Sequence, residues 1–360
     1  MILEIAKQTQ DAKASSCTQS SNDTTLPEVV LRRNGITLIE FLVAAAIIGV
    51  LLALLLSAVQ SSRESARQVQ CQNNLRQSIL AIQSFHNSER ALPSFYNGTA
   101  LSYPLKEWDL FHMHSWRVPL LPYLEQGSLK QQINMKMLAT SGENEAVGHT
   151  EVSSFLCPSG GDPGELGWGL KHEMISIPQE DLEDKHRYSL VRSDYDAMAG
   201  IQVLPKTIPD DASPHETKFV RWGIWGWPVF DRDRTTGSHL RSYRQGKFRD
   251  VTDGLSHTLA LVERTGKPYS LKNGKRNPTP ENPRAFYNGQ AGWIASNTFV
   301  WSINSDGVGV NESNEVGIYS FHPGGAYVAI ADGSVRFLSD STDFETLAKL
   351  YGRSDGGLPK

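Results

Sequence analysis

The side chains that could carry chemistry in this sequence are few, and the most suggestive pair lies near the end of the chain. His322 is followed by nine residues and then by Asp332 and Gly333. A histidine and an aspartate could bind a metal ion or exchange protons. However, Asp332 stands in an Asp-Gly dipeptide and His322 is followed by Pro-Gly-Gly, and these are turn sequences. We therefore expect hydrogen-bonding or packing roles for both residues rather than catalysis.

Two other groups of polar residues could hold metal ions. His112 and His114 would share one face of a strand and could bind Zn²⁺, but no CxxC or HExxH motif accompanies them. We interpret them as surface or loop histidines. The segment from Asp231 to Gly237 faintly resembles a calcium-binding loop. Its glycine falls one position late and its two arginines would repel the ion, so this signal is weak.

Three tryptophans, Trp222, Trp225 and Trp227, could form a platform that stacks on a sugar. Tryptophans separated by Gly and Pro are equally typical of an interface or a small core. Ser256 and His257 are adjacent, which does not make a nucleophile–base pair, and the sequence contains no G-x-S-x-G, P-loop or G-x-G-x-x-G motif. We therefore expect no enzymatic activity, no cofactor and no metal.

The composition of the chain limits which classes of function remain. The 360 residues carry a net charge of −4 and give a pI near 6.2, so there is no electrostatic signature of nucleic-acid binding. The three cysteines are Cys17, Cys71 and Cys157. If Cys17 is removed with an N-terminal leader, Cys71 and Cys157 remain as a candidate disulfide in an exported domain. The alternative is two free, buried thiols.

The stretch that organises the chain is the apolar run from Phe41 to Val59, which contains no charged residue. About 20 apolar residues in a helix span the hydrocarbon core of a bilayer. A buried core helix seldom lacks a polar face over such a length, and the apolar region of a cleaved secretory signal is shorter, about 7–15 residues. We therefore predict a transmembrane segment over residues 38–59. Arg32 and Arg33 precede it, which favours a cytoplasmic N-terminus and an exported C-terminal part.

Glu40 is unexpected at the edge of this apolar run. If the peptide bond after Gly35 were cut, Ile36 would carry a free amine. That cation could neutralise Glu40 in the same chain or in a neighbouring subunit, since an unpaired carboxylate is costly in a membrane. Alternatively, Glu40 lies in the headgroup zone and is solvated. The spacing alone leaves both interpretations open.

The residues Arg32-Arg33-Asn34-Gly35, followed by Ile36-Thr37-Leu38-Ile39-Glu40 and the apolar run, resemble the class III signal of type IV pilins and type II secretion pseudopilins. The resemblance implies a leader peptide over residues 1–35. It also implies cleavage after Gly35 by a prepilin peptidase and N-methylation of Ile36. The lipid bilayer, the peptidase and other pilin-like subunits are the partners that follow.

The next part of the chain predicts a long helix. No proline interrupts the sequence between Ile36 and Leu92, and Leu75, Ile79, Ile82 and Phe85 recur at helical spacing. We expect one helix from Ile36 to about Ser88 within a segment 36–92, its second half packed on a sheet. Beyond it, we predict a short helix near Leu120–Ile133 and strands within residues 155–160, 193–200 and 251–266.

The C-terminal region predicts a β-hairpin and a helix. AYVAIA and SVRFLS flank the Asp332-Gly333 pair, which favours a type I′ turn. Alternation separates Tyr327, Ala329 and Ala331 from Val328 and Ile330 on opposite faces. The spacing of Thr342 and Glu345 is that of a capping box, opening a short helix that ends at Gly352.

Together with CQNNLRQ, SWRVPLLPYLEQ, FLCPS, SDY and DVTDGLSHT, the His322-to-Gly333 motif makes the exported part similar to the planctomycete H-X9-DG family, also called the DUF1559 or SBP_bac_10 domain. The resemblance implies an α+β, pilin-like fold, with a long N-terminal helix on an antiparallel sheet and an exported domain over residues 93–360. We expect a pilin-like or pseudopilin-like structural subunit in the inner membrane. The alternative is an anchored module whose tryptophan cluster binds a glycan or a surface partner.

Overall fold

The computed structural model describes residues 37–102, 105, 107–161, 166–170, 187–203, 219–233, 237–276, 292–296, 299–304, 309–315 and 317–352. The α-helices in these residues are α1 (Leu38–Glu89), α2 (Glu107–Leu110), α3 (Gly127–Gln132), α4 (Gly142–Val147) and α5 (Phe344–Tyr351). The strands are β1 (Leu166–Leu170), β2 (Arg187–Val191), β3 (Tyr195–Val203), β4 (Phe219–Trp222), β5 (Gly226–Asp233), β6 (Gly237–Gln245), β7 (Leu259–Glu263), β8 (Leu271–Lys272), β9 (Lys275–Arg276), β10 (Phe299–Asn304), β11 (Gly325–Ile330) and β12 (Val335–Ser339). Four 3₁₀ turns cover Val118–Leu124, Ser153–Phe155, Phe248–Asp250 and Leu255–His257.

The chain divides into two compact units, Met1–Ser57 and Ala58–Lys360. The described part of the first unit is Thr37 and the apolar start of α1, whose side chains are all exposed. The second unit contains the rest of α1 and all the strands. The predicted boundaries at residues 35/36 and 92/93 remain predictions.

Helix α1 is a single 52-residue helix, as its proline-free sequence predicts. In the second unit it buries one stripe, which includes Leu75, Ile79 and Ile82, each 0% exposed. The three residues recur at spacings of four and three, so they lie on one face of the helix. The helix ends after Glu89, where Arg90 adopts a left-handed conformation with φ of 58°.

The main sheet has the strand order β10-β3-β7-β11-β12, and β4 pairs with the second half of β3. All of its pairings are antiparallel except that between β10 and β3. The predicted α+β class, a long N-terminal apolar helix with an antiparallel sheet domain, is therefore confirmed.

Both faces of β11, inside the sheet, are buried. Tyr327, Ala329 and Ala331 belong to the same core as the buried stripe of α1. Val328 and Ile330 point the other way and pack in a second core, which includes α5. The alternation predicted for β11 is confirmed, and it places the sheet between the second half of α1 and α5.

Several local predictions need correction. The strand predicted within residues 155–160 is wrong: Ser153–Phe155 forms a 3₁₀ turn, and the Cys157 N–H donates to the side chain of Asp194 instead of to a neighbouring strand. The helix predicted near Leu120–Ile133 is divided into Val118–Leu124, a 3₁₀ turn, and α3. Pro119 and Pro122 in that turn lack the N–H groups that α-helical hydrogen bonds need.

The ends of the C-terminal hairpin and helix also differ from their predictions. Gly333 has φ of +98°, but Asp332 does not have a positive φ, so the turn is not type I′. The Gly333 N–H donates to Ile330 O at 3.0 Å and the Ile330 N–H to Ser334 O at 2.8 Å, as in a type I turn followed by a left-handed glycine. The N-cap of α5 is Asp343 rather than Thr342, because the Asp343 carboxylate accepts the Thr346 N–H at 2.9 Å.

Candidate functional site

A disulfide joins α1 to the segment after the Ser153–Phe155 turn. The structure pairs Cys71 with Cys157, with 5.4 Å between their Cα atoms and a sequence separation of 86. Both residues are at most 1% exposed. One turn further along α1, the Asn74 side chain donates to the Leu156 carbonyl at 2.9 Å. The disulfide and this hydrogen bond hold the helix against the same short segment.

His322 lies beside this disulfide and also contacts α1. Its Nδ1 is 2.6 Å from Glu64 Oε1, and its Nε2 is 3.5 Å from Cys157 Sγ. Nε2 is also 3.5 Å from Oε1 of Glu263, at the end of β7. Burial opposes protonation of the imidazole, but the carboxylates of Glu263 and Glu64 outweigh it and raise the pKa of His322. The histidine therefore joins α1 to the sheet.

The Asp332-Gly333 turn contacts α1 at a second position. The Gln83 side chain donates to the Ala331 carbonyl at 3.2 Å. A Cβ atom on Gly333 would come within 3.1 Å of Gln83 Nε2, in addition to the strain of its positive φ. The Asp332 carboxylate accepts the Ser334 N–H at 2.8 Å, which stabilises the turn. The turn thus favours glycine through its positive φ, and the Gln83 side chain would have to shift to make room for a Cβ.

These contacts explain the spacing of the H-X9-DG motif. Its histidine and its Asp-Gly turn lie at the two ends of β11, and each contacts the helix that covers the sheet. The two contact points on α1, Glu64 and Gln83, are about 28 Å apart at the helical rise of about 1.5 Å per residue. The packing role expected for His322 and Asp332 agrees with this geometry. We refer to these two contacts, His322–Glu64 and Gln83–Ala331, as the helix clamp.

A second group of charges lies in the interior. Asp196 on β3 pairs with Arg117 Nη2 at 2.6 Å, with Arg264 Nε at 2.9 Å and with Lys267 Nζ at 2.6 Å. Burial alone would raise the pKa of this carboxyl group, but Lys267, Arg264 and Arg117 lower it to about 2. Asp194, two residues earlier, pairs with Arg192 at 3.1 Å.

This interior network was not singled out from the sequence. The signal that could have revealed it is the repeat of Asp194 and Asp196 within a predicted strand, because carboxylates two positions apart share a face. The side chains of the Asp196 group are at most 4% exposed. Because buried charges must be paired, the network joins the segments around residues 117, 196, 264 and 267.

At the start of α1, Glu40 has a local partner that the sequence interpretation missed. Its Oε2 accepts the Thr37 N–H at 2.9 Å and the Thr37 hydroxyl at 3.0 Å. The Glu40 N–H in turn donates to Thr37 Oγ1 at 3.3 Å. These are the reciprocal hydrogen bonds of a capping box, which the Thr-x-x-Glu spacing could have predicted. Gly35 and Ile36, the predicted processing residues, lie outside the described residues.

Trp225, the middle residue of the tryptophan cluster, does not lie on an exposed platform. Trp225 is 0% exposed, and its indole N–H donates to the Ala260 carbonyl at 2.9 Å. Its ring packs against Phe95 and Trp116, at centroid distances of 5.5 and 5.0 Å. The prediction of a ligand surface is therefore wrong for Trp225, which is a core residue. Trp222 is half-buried, and the side chain of Trp227 lies outside the described residues.

The other sequence candidates do not form a site in the described residues. His112 and His114 lie in the loop after α2, but they are 2% and 1% exposed, so of the two interpretations, surface or loop, the surface one is wrong. His112 Nδ1 is 2.7 Å from Thr140 Oγ1, and His114 Nε2 is 3.0 Å from the Met137 carbonyl oxygen. The candidate calcium loop covers the end of β5, residues 234–236, which lie outside the described residues, and the start of β6; its side chains are not among those described.

Two family models match the sequence. The model described as a protein of unknown function (DUF1559) matches residues 60–345, which is well over half of the chain. The model described as the prokaryotic N-terminal methylation motif matches residues 31–56. The comparison with curated proteins and the comparison with solved structures each give no match. The motif implies processing by a prepilin peptidase and association with a membrane.

Proposed function

Because this chain belongs to the DUF1559 family and carries the prokaryotic N-terminal methylation motif, we propose that it is a membrane-anchored, pilin-like structural subunit of a type II secretion or type IV pilus-like assembly. In this proposal it has no enzymatic role. The prepilin peptidase cuts after Gly35, and the mature chain begins at N-methylated Ile36.

One observation carries the proposal: the apolar side chains in the first half of α1 are exposed. In the described residues from 37 to 59, every side chain is exposed, including Phe41 at 65% and Leu54 at 63%. Burying a large apolar side chain is worth about 1.5–3 kcal/mol, so such a surface requires lipid or other apolar helices around it. The helix is long and apolar enough to cross a bilayer.

The second half of α1 is attached to the domain that this proposal places outside the membrane. The Cys71–Cys157 disulfide and the helix clamp fix this half to the sheet of the second unit. A disulfide suits an exported domain, because oxidising compartments preserve such bonds. Arg32 and Arg33 precede the span, which favours an N-terminus in the cytoplasm and a single pass through the inner membrane.

Glu40 offers a way to separate anchoring from assembly. In this proposal its carboxylate pairs with the Ile36 amine of a neighbouring subunit, and within its own chain it completes the capping box with Thr37. Glu40→Gln retains a residue that suits the capping box but removes the charge. We therefore expect Glu40→Gln to preserve insertion and processing and to reduce subunit–subunit contacts.

The experiment begins with mass spectrometry of the native protein extracted from membranes. We expect a mature chain that starts at N-methylated Ile36, and an unprocessed chain in Gly35→Ala. Chemical cross-linking in membranes should then give multimers in the wild type and fewer in Glu40→Gln. An intact leader in the native protein, or equal processing of Gly35→Ala, would overturn the processing step. Equal cross-linking of the wild type and Glu40→Gln would overturn the assembly step.

A further inference from the structure

Four potential metal ligands converge beside the helix clamp. They are the sulfur atoms of Cys71 and Cys157, a carboxylate oxygen of Glu263 and an imidazole nitrogen of His322. All four ligand atoms lie within 4.8 Å of one another, and all four residues are buried. Two sulfurs with one nitrogen and one oxygen are a donor set that Zn²⁺ accepts in four-coordinate sites.

The orientation of His322 is that of a metal ligand. Glu64 Oε1 is 2.6 Å from Nδ1 and so accepts the proton on that nitrogen. In the neutral imidazole, the lone pair on Nε2 faces Cys157 Sγ and Glu263 Oε1, each 3.5 Å away. Histidines that bind metals commonly donate their other N–H to a carboxylate, which fixes both the tautomer and the ring orientation.

Glu263 supplies an independent observation. Its Oε2 accepts the Tyr327 N–H at 2.7 Å, whereas its Oε1 makes no hydrogen bond within the described residues and faces His322 Nε2 at 3.5 Å. The side chain is 0% exposed, so bulk water does not reach this oxygen. A buried carboxylate oxygen without a hydrogen bond is costly. Glu263 Oε1 therefore lies, with His322 Nε2 and the two sulfurs, where a bound cation would stabilise its charge.

The distances fit a zinc tetrahedron. With bonds of about 2.3 Å to sulfur and about 2.0–2.2 Å to nitrogen and oxygen, neighbouring ligands lie about 3.3–3.8 Å apart. The separations of His322 Nε2 from Cys157 Sγ and from Glu263 Oε1, both 3.5 Å, already fall in this range. The other ligand atoms lie within 4.8 Å of one another, and the two bonded sulfurs have to move apart, which requires that the bond between them be broken.

We propose that Cys71, Cys157, Glu263 and His322 form a Zn²⁺ site when the disulfide is reduced, so that the same four residues hold either a disulfide or a metal ion. A dithiol reductant supplies two electrons and two protons, is itself oxidised to a disulfide, and leaves two cysteine thiols. Zn²⁺ then displaces both thiol protons and is bound by two thiolates, the Glu263 carboxylate and neutral His322. In both states α1 stays linked to the sheet. The inference is independent of any assembly of subunits.

The test uses the full-length protein in detergent, in a Cys17→Ser background so that only two thiols remain. The protein is reduced anaerobically, the reductant is removed, and Co²⁺ or Zn²⁺ is titrated. We expect one metal ion per chain by elemental analysis, and with Co²⁺ the absorption bands of a tetrahedral, thiolate-ligated ion. The oxidised protein should show no such bands. This comparison needs no substitution at the site, so it holds even where a variant fails to fold.

Single substitutions then assign the ligands. His322→Gln and Glu263→Gln should abolish the tetrahedral Co²⁺ spectrum, whereas His257→Gln, at an exposed histidine outside the cluster, should leave it unchanged. Glu64→Gln should weaken binding about 10- to 100-fold without changing the spectrum, because Glu64 orients the ligand and does not touch the metal. The proposal is overturned if the reduced protein binds no more metal than the oxidised protein, or if His322→Gln binds as the wild type does.

Discussion

The disulfide between Cys71 and Cys157 gives the sharpest quantitative prediction, because it closes a long loop between α1 and the rest of the second unit. We consider the replacement of both residues by serine in the Cys17→Ser background. The closed loop corresponds to a sequence separation of 86. In the chain-entropy treatment, a loop of this length restrains the unfolded state by about 4.5 kcal/mol at 25 °C.

The serine hydroxyls add a smaller, separate cost. Cys71 and Cys157 are at most 1% exposed and belong to the main hydrophobic core. An unpaired buried hydroxyl costs about 1–3 kcal/mol. Reducing the unmutated bond in the presence of a chelator leaves two thiols and avoids this cost. We therefore expect reduction alone to lower the free energy of unfolding by about 4.5 kcal/mol, and the double serine variant to lower it somewhat further.

The assay is urea unfolding in detergent, followed by tryptophan fluorescence. Trp116, Trp225 and Trp293 are at most 1% exposed, so the signal reports on the folded domain. The Cys17→Ser protein is the reference, and its oxidised form should unfold as the wild type does. A loss below about 1 kcal/mol on reduction would refute the argument, because the loop closed by the bond would then not restrain the unfolded chain as the entropy estimate requires.

The remaining predictions concern burial and turn geometry. Burial disfavours the protonated form of His114 and so lowers its pKa from 6.5 to about 4. Its stabilising contribution is therefore complete above pH 6.5 and is lost as pH falls towards 4. Between pH 7 and pH 5, the free energy of unfolding of the wild type, measured in urea, should fall by about 2 kcal/mol more than that of His114→Gln. Equal pH dependence of the two free energies would contradict this. Gly333→Ala should lower the free energy of unfolding by about 1–3 kcal/mol. Gly274 also has a positive φ, but a Cβ atom there would meet no other atom, so Gly274→Ala should lower the free energy of unfolding less in the same assay. Equal losses in the two variants would exclude a role for the close approach of α1. Asp196→Asn removes the carboxylate that pairs with three buried cations. It should lower the free energy of unfolding by about 3–5 kcal/mol, measured by thermal and urea unfolding. A loss under about 1 kcal/mol would show that the network is not needed for stability.

Much of the fold could be predicted because its signals are local. The apolar run in α1, the stripe of Leu75, Ile79 and Ile82, and the alternation in β11 depend only on the periodicity of helices and strands. The same local reasoning gave wrong predictions where an adjacent residue takes the structural role that was assigned to its neighbour. Asp343 stands next to Thr342 and takes the N-cap of α5, and Asp332 keeps an ordinary φ because Gly333 alone supplies the positive one.

The candidate site depended on tertiary structure. His322 and Glu64 are 258 positions apart, and no periodicity relates a histidine before a hairpin to a glutamate on a helix near the start of the chain. The sequence left open whether Trp225 lies on a ligand surface, in an interface or in a small core, and packing against Phe95 and Trp116 buries it completely.

The sequence by itself determined what depends on neighbours along the chain: a first half of α1 long and apolar enough to cross a membrane, the processing motif before it, the hairpin and the family. Only the tertiary structure decided which polar side chains meet. Because the partner of a buried charge is set by the packing of distant segments, the convergence of Cys71, Cys157, Glu263 and His322 could be recognised only after α1, β7 and the hairpin had been brought together.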